Sequence, residues 1–482
     1  MSFSNLPKFV FKYLCFFLDL KSHATFSLIN KKYYGTFFHI RELYTILLRQ
    51  QNSPIKLDES ISQIIKTQTG MDSILHLVCT DKKLSIEMIS FLINNKADLN
   101  SKAKYNSSPL HLVCADKNIS VEIIKYLVEN KADLNSSNYM GYTPLHLASV
   151  NKNTSIEVVK CLVENKSNMN AKEKYEISPL HFACKNKNIS IKVIQYLVEN
   201  KSDLNAKSTS YCTPLHHACE NNNISINIIS YLVENKADLN AINKFDNVPL
   251  HCACDNNNIS IDIIKFLVEN KADLNSKNGY DQSTPLHTSC YNKNISIEII
   301  KYLVENKSDI NANNRYNKLP LHYACESENI SIEIIKYLVE NKADLNAKNQ
   351  SQFTVLHYAC ENENVSVDIL KCLIENKSDI NSKGFVDLTP LHNACDKNTI
   401  SFEIIEYLVE SKSDINSKNE SYDTPLHMAC RNRNFSIEVI KFLIENKADF
   451  NSKNEDDVSP LDIIKENTIL FEKLSDCFGD YF

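Results

Sequence analysis

Glycine is scarce in this chain and tryptophan is absent: 6 Gly and no Trp in 482 residues. Six scattered glycines exclude collagen-like and Gly-linker readings. They also argue against phosphate-cradling loops, which need several glycines at close spacing. No GxGxxG, GxxxxGK[ST] or HExxH occurs. Long apolar runs are missing too. Residues 9–20 are rich in Phe, Leu and Val but carry Lys12 and Asp19. Their uninterrupted part, Tyr13 to Leu18, is too short for a signal-peptide core or a membrane span. An excess of positive charge is also lacking. The net charge of −6 gives no basic face for nucleic acid, so neither a nucleic-acid nor a membrane partner is expected. Absent a secretory leader, the 16 Cys read as reduced thiols in a cytoplasmic or nuclear protein.

What the chain does have is a repeat. Leu-His recurs with His at 76, 111, 146, 181, 216, 251, 287, 322, 357, 392 and 427, every 35 residues except for one step of 36, His251 to His287. A partial copy follows at Ser459-Pro460-Leu461-Asp462. Ten of the 12 Pro precede this Leu, and Thr or Ser stands before them in most copies. That order opens a helix: the hydroxyl is expected to accept from an orphan backbone N–H, and Pro suits the first helical position. After an Asn-rich turn comes Asn-Ile-Ser-Ile-Glu-Ile-Ile, as at 329–335. Ser again suits a cap, and a second helix is expected from Ile332 to Asn341 with one apolar face. Two short helices and an extended tip cannot bury that face alone, whereas stacked copies can.

These residues resemble the ankyrin repeat, with its T-P-L-H-x-A opening and its A-D-x-N after the second helix. The resemblance covers about residues 72–482 and implies an all-α solenoid of eleven repeats plus a capping part-repeat. Three departures stand out. The period is 35 rather than 33, with the surplus between the helices. Asn-rich text replaces the Gly of that turn. Lys, as at Lys131, Lys201 and Lys271, replaces the Gly after the second helix. Lys disfavours the left-handed conformation, so strain or a shifted turn is expected there.

Several residues look chemical but dissolve into the repeat. The histidines recur once per unit, so neighbours are about 8–10 Å apart, too far to share a zinc ion; the resemblance implies that they stabilise the turn near the cap. Ten Cys lie three residues after that His and read as small buried hydrophobes. Asn-x-Ser, as at Asn188 and Asn223, reads as a helix cap rather than a glycosylation site. No catalytic residue, cofactor or metal is expected, and the chain is not read as an enzyme.

Binding residues are sought among positions that packing leaves variable. Nearly every tip carries an aromatic: Tyr105, Tyr139, Tyr175, Tyr211, Phe245, Tyr280, Tyr316, Phe353, Phe385 and Tyr422. The position after His includes Tyr323 and Tyr358; the position after Cys includes Tyr291, Glu326, Glu361 and Arg431. The resemblance implies that tips and first helices line one concave face, where aromatics anchor a protein target. Alternatively, the tip aromatics pack on the adjacent tip and only support the fold. The position after Cys is mostly acidic from 220 to 396, which suits a partner with a basic segment.

The first seventy residues lack the repeat and carry +5 (nine basic, four acidic) against −11 for the remainder. Leu6, Pro7, Leu14, Leu18, Asp19, Leu28, Ile29 and Tyr33 fall in an order that resembles an F-box. Phe9 replaces its acidic residue and Tyr33 its late Trp. The resemblance implies an F-box-like module over 1–40, with Leu6, Pro7, Leu14, Leu18, Leu28 and Ile29 docking on a Skp-family linker of a cullin ubiquitin ligase. A helical connector at 41–70 and the repeats from 71 to 482 would follow, holding the ligase's substrate. The alternative is a plain ankyrin scaffold or sequestering protein without any ligase link.

Overall fold

The computed structural model describes residues 74–80, 86–397, 401–432, 437–467 and 471–475. The module expected at 1–40, its docking residues Leu6, Pro7, Leu14, Leu18, Leu28 and Ile29, and the connector at 41–70 lie outside the described residues. Among the described residues there is no strand. The helices alternate between a short opening one, such as Pro214–Glu220, and a longer second one, such as Ile226–Glu234.

Contacts divide the chain into two compact units. The described part of the first reaches Asn153 and includes Glu157–Asn168. In it the opening helices Ile74–Cys79, Pro109–Ala115 and Pro144–Val150 pack in sequence. The second unit takes Thr154–Ile156 and the residues from Met169 onward. There each opening helix, from Pro179–Lys185 to Pro460–Glu466, packs on the next opening helix, and each second helix on the next second helix. In one copy Leu215, Ala218, Cys219, Ile228, Ile229 and Leu232 are all buried. Each fully buried Leu or Ile stabilises the stack by about 1.5–3 kcal/mol relative to exposure.

The helix starts follow the sequence reading at the second helix and correct it at the first. Ser190, Ser225 and Ser260 each accept a backbone N–H of the helix that they open, at 3.2–3.3 Å. At the opening helix the Thr213 hydroxyl instead meets His216 Nδ1 at 2.9 Å, and the same ring nitrogen accepts the Thr213 N–H at 3.1 Å. The imidazole therefore does the work of the distal acid of a capping box. Where the cap is Val248 or Leu319, the N–H still donates to His251 or His322, at 3.2 and 3.0 Å. The final copy reverts to an acid: Asp462 Oδ2 accepts both the Ser459 N–H and hydroxyl, and Ser459 Oγ accepts the Asp462 N–H.

The second helix is Ile332–Glu340, with Asn341 as its C-cap rather than its last turn. The lysine after it is left-handed without any shift of the turn. At Lys236 φ is 77°. Its N–H donates to Val233 O at 2.9 Å, and the Ala237 N–H to Leu232 O at 2.9 Å. This is the pair of bonds with which helices normally end on glycine. The Asn235 amide covers a further carbonyl, Tyr231 O, at 2.8 Å. The Asn-rich turn between helices replaces glycine differently. Asn221 Oδ1 accepts the Asn223 N–H at 3.1 Å, while its amide donates to Cys184 O of the preceding repeat at 2.9 Å.

Candidate functional site

The tips are built from bonds of the backbone and of an asparagine side chain, and most of their aromatic rings are exposed. In one tip the Asn243 N–H donates to Asn247 O at 3.1 Å, closing a small loop. Asn243 Oδ1 fills that loop, accepting the N–H groups of Phe245 (2.8 Å) and Asn247 (3.1 Å). Adjacent tips are then tied through the backbone: the Lys244 N–H donates to Ser210 O at 2.8 Å, and the Gly279 N–H to Phe245 O at 2.7 Å. The tip is thus held without the ring. Tyr105, Tyr139, Tyr175, Tyr211, Phe245, Tyr280, Tyr316, Phe385 and Tyr422 are all exposed, from 43% at Tyr316 to 77% at Tyr139. Some carry a lysine nearby: Lys207 Nζ lies 6.0 Å from the Tyr211 ring and Lys418 Nζ 5.7 Å from Tyr422. Phe353 differs. It is half-buried, its ring 5.1 Å from that of His357, in the supporting role that the alternative reading gives to tip aromatics.

The opening helices bring a second aromatic group together. Tyr291 is exposed and meets Tyr323 edge-on at 5.8 Å; Tyr323 meets His287 edge-on at 5.5 Å. The Tyr323 hydroxyl donates to Asp281 Oδ2 at 2.6 Å, and the Ser283 hydroxyl donates to the same oxygen at 2.7 Å. Burial and the Asp281 carboxylate push the Tyr323 phenol well up. Burial opposes ionisation of Asp281, but the bonds from Tyr323 and Ser283 outweigh it and hold the carboxyl below its usual range. Asp281 lies in the single 36-residue step, so the irregular copy carries this inward carboxylate. Tyr358 is anchored similarly: the Asn349 amide donates to its hydroxyl at 2.8 Å. Lys318 sits between the two rings, 5.4 Å from Tyr323 and 4.5 Å from Tyr358.

Three of the charged candidates carry partners. Glu326 accepts from Lys318 at 2.8 Å, Glu361 lies 3.7 Å from Lys397, and Arg431 pairs with the buried Asp423. Asp281 and Lys318 were missing from the sequence reading; the step of 36 was the available signal for the first.

The imidazoles are committed to the fold. Beyond the cap, His216 Nε2 donates to Asn247 O at 2.9 Å and His357 Nε2 to Leu388 O at 3.0 Å, each in the next copy. Burial pulls His111, His181, His287, His322, His357 and His392 down to about 4. The described cysteines are all buried and free of disulfides, and burial pushes Cys79, Cys254 and Cys430 up to about 12. Among the described residues no three His, Cys, Asp or Glu side chains gather as a metal site, and no helix is long and apolar enough to cross a membrane.

Comparison with known proteins agrees with this architecture. A family model described as ankyrin repeats in three copies matches residues 75–173, 152–243, 180–278, 250–349, 286–384, 331–419 and 356–454. No curated protein matches the chain.

Proposed function

Because the chain belongs to the ankyrin-repeat family, whose repeats bind protein targets and typically carry no enzyme activity, we propose that it holds one protein partner along its tips and opening helices. Phe245 is the observation that carries this reading. Its carbonyl and N–H are spent on the tip, yet its ring is 56% exposed. An apolar ring on a rigid, pre-organised support loses little freedom on binding, which is what an anchor residue requires. Tyr105, Tyr175, Tyr211, Tyr280, Tyr316 and Tyr422 share that placement, and Tyr291 extends it onto an opening helix. Tyr323, Tyr358 and Phe353 are supports, because the rings of all three and the hydroxyls of the two tyrosines are engaged internally. Glu326, Glu361 and Arg431 carry ion pairs, so charge serves selectivity here more than strength. Alanine at Tyr175, Tyr211 and Phe245 tests the reading: partner binding falls while the helical content stays unchanged.

The finer proposal is a substrate receptor of a cullin ubiquitin ligase, with a Skp-family linker on the F-box-like segment. It rests on the order of Leu6, Pro7, Leu14, Leu18, Leu28 and Ile29 alone. Such a receptor would act by holding its target near chemistry that belongs to other subunits. Pull-down with wild type and with the Leu14→Asp, Leu18→Asp variant decides it. A Skp-family subunit recovered by the first and lost from the second supports the ligase role. Recovery by neither leaves a plain scaffold or sequestering protein in a cytoplasmic or nuclear setting.

A further inference from the structure

The second helices carry one partly exposed position that is aromatic in most copies: Tyr196, Tyr231, Phe266, Tyr302, Tyr337, Tyr407 and Phe442 among them. Several of these rings are received by the preceding repeat. Lys265 Nζ lies 5.9 Å from the Tyr302 ring, Lys301 Nζ 5.8 Å from Tyr337 and Lys371 Nζ 5.9 Å from Tyr407. At two of them a glutamate on the preceding second helix takes the hydroxyl, Tyr302 donating to Glu269 at 3.4 Å and Tyr231 to Glu199 at 3.5 Å, whereas Tyr337 donates to Lys301 O at 3.4 Å. Lysine and glutamate together form a receptor for a phenol, the cation over the face of the ring and the carboxylate at its polar end.

At two copies the pair is present and the ring is not: Cys161 follows Lys125 and Glu129, and Cys372 follows Lys336 and Glu340; the groove lies at the second. Position 372 is Cys, and the residues standing where Lys301 and Glu305 stand for Tyr337 are Lys336 and Glu340. Neither of these side chains has a hydrogen bond or ion pair among the described residues. A groove of about 350 Å³ opens there, lined by Lys336, Val339, Glu340, Lys371, Cys372 and Glu375. Cys372 is 8% exposed, too short to fill the space that a tyrosine fills in neighbouring copies. We propose that this groove binds a tyrosine side chain of a partner protein, with Lys336 over the ring and Glu340 accepting the hydroxyl. The occupant is identified by the molecule itself, since the corresponding pair, Lys265 and Glu269, holds the chain's own Tyr302. The site lies on the second helices, away from the tips, and stands or falls independently of the tip anchors.

Saturation-transfer NMR of the full chain with p-cresol tests it. In a Cys161→Tyr background, which fills the other cysteine copy, the parent chain and Cys372→Ser, which leave the groove open, are expected to transfer saturation to the p-cresol ring. Cys372→Tyr, whose own ring occupies the groove, is expected to lose most of that signal, and Lys336→Ala with Glu340→Ala to lose it as well. Toluene should give a weaker signal than p-cresol. Absence of transfer in the parent chain, equal transfer in Cys372→Tyr, or equal transfer to toluene overturns the proposal.

Discussion

The side chain of Asn205 holds the left-handed turn at Lys236. Its amide donates to Lys236 O at 3.2 Å, and its Oδ1 accepts the Asp238 N–H at 2.8 Å. The contact recurs copy after copy, as between Asn240 and Lys271 and between Asn346 and Lys377. It explains how lysine stands where glycine usually ends such a helix: the next repeat's turn is clamped from outside. A left-handed non-glycine residue costs about 1–2 kcal/mol, and two exposed hydrogen bonds return about 0.5–1.5 kcal/mol each. Asn205→Ala should therefore lower stability by about 1–2 kcal/mol. Lys236→Gly should raise it by roughly 0.5–1 kcal/mol, the relief of strain less the entropy cost of glycine. Urea unfolding of both variants measures this. A Lys236→Gly variant less stable than wild type would refute the clamp.

The buried imidazoles make the stack sensitive to acid. Their folded pKa of about 4 at His111, His181, His287, His322, His357 and His392 lies below the unfolded value near 6.5. The unfolded chain thus binds protons more readily between these limits. Stability is full above pH 6.5, declines as pH falls toward 4, and loses no more from these groups below that. Every tenfold loss of proton affinity on folding is worth about 1.4 kcal/mol, so each such group lowers the stability of the folded chain as the pH falls through this window. Thermal melts at pH 7, 6, 5 and 4 should show a steady fall in midpoint. His357→Asn, which removes a titrating group, should flatten that slope.

Ser327 stands where most copies place an asparagine. Asn292 donates to Cys254 O at 2.9 Å, and Asn362 to Cys325 O at 2.9 Å and Ser327 O at 2.8 Å. Ser327 is shorter and reaches only Tyr291 O, at 3.2 Å. A cavity of about 100 Å³ lies beside it, lined in part by Cys290, Asn292 and Ser327. Ser327→Asn should fill that space, add a bond to the Cys290 carbonyl and stabilise the chain by about 1 kcal/mol. The denaturation midpoint reads it directly.

The repeated thiols three residues after the histidines should be inert in the folded state, since burial keeps them protonated and out of reach. Treatment with a disulfide reagent at pH 8, followed by peptide mapping, should leave Cys184, Cys219, Cys254 and Cys325 unmodified. They should react only as denaturant opens the stack.

Much of this was legible from residue order. The period, the proline starts, the serine caps of the second helices and burial of the repeated cysteine follow from local chemistry, and the structural role of the histidines from the resemblance to ankyrin repeats. What escaped depends on register between copies. Asn205 reads as an ordinary polar tail residue until Lys236 O lies beside it. Thr213 reads as a helix cap, because nothing local says that His216 takes its hydroxyl. Glu326 and Glu361 read as free charge, because Lys318 and Lys397 are distant in the local pattern. The tip aromatics could be located but not sorted: only the fold separates the exposed Phe245 from Phe353, which packs on His357.

The most direct test measures the affinity of the full chain for a partner purified from cell extract, comparing wild type with the Tyr175→Ala, Tyr211→Ala, Phe245→Ala variant. A Tyr231→Ala variant on a second helix serves as the control. Anchor residues each cost more than about 1 kcal/mol on truncation, so the triple variant should bind at least about tenfold more weakly while the control binds as wild type does. Unchanged affinity in the triple variant, or an equal loss in the control, would contradict the assignment of the tips as the binding surface.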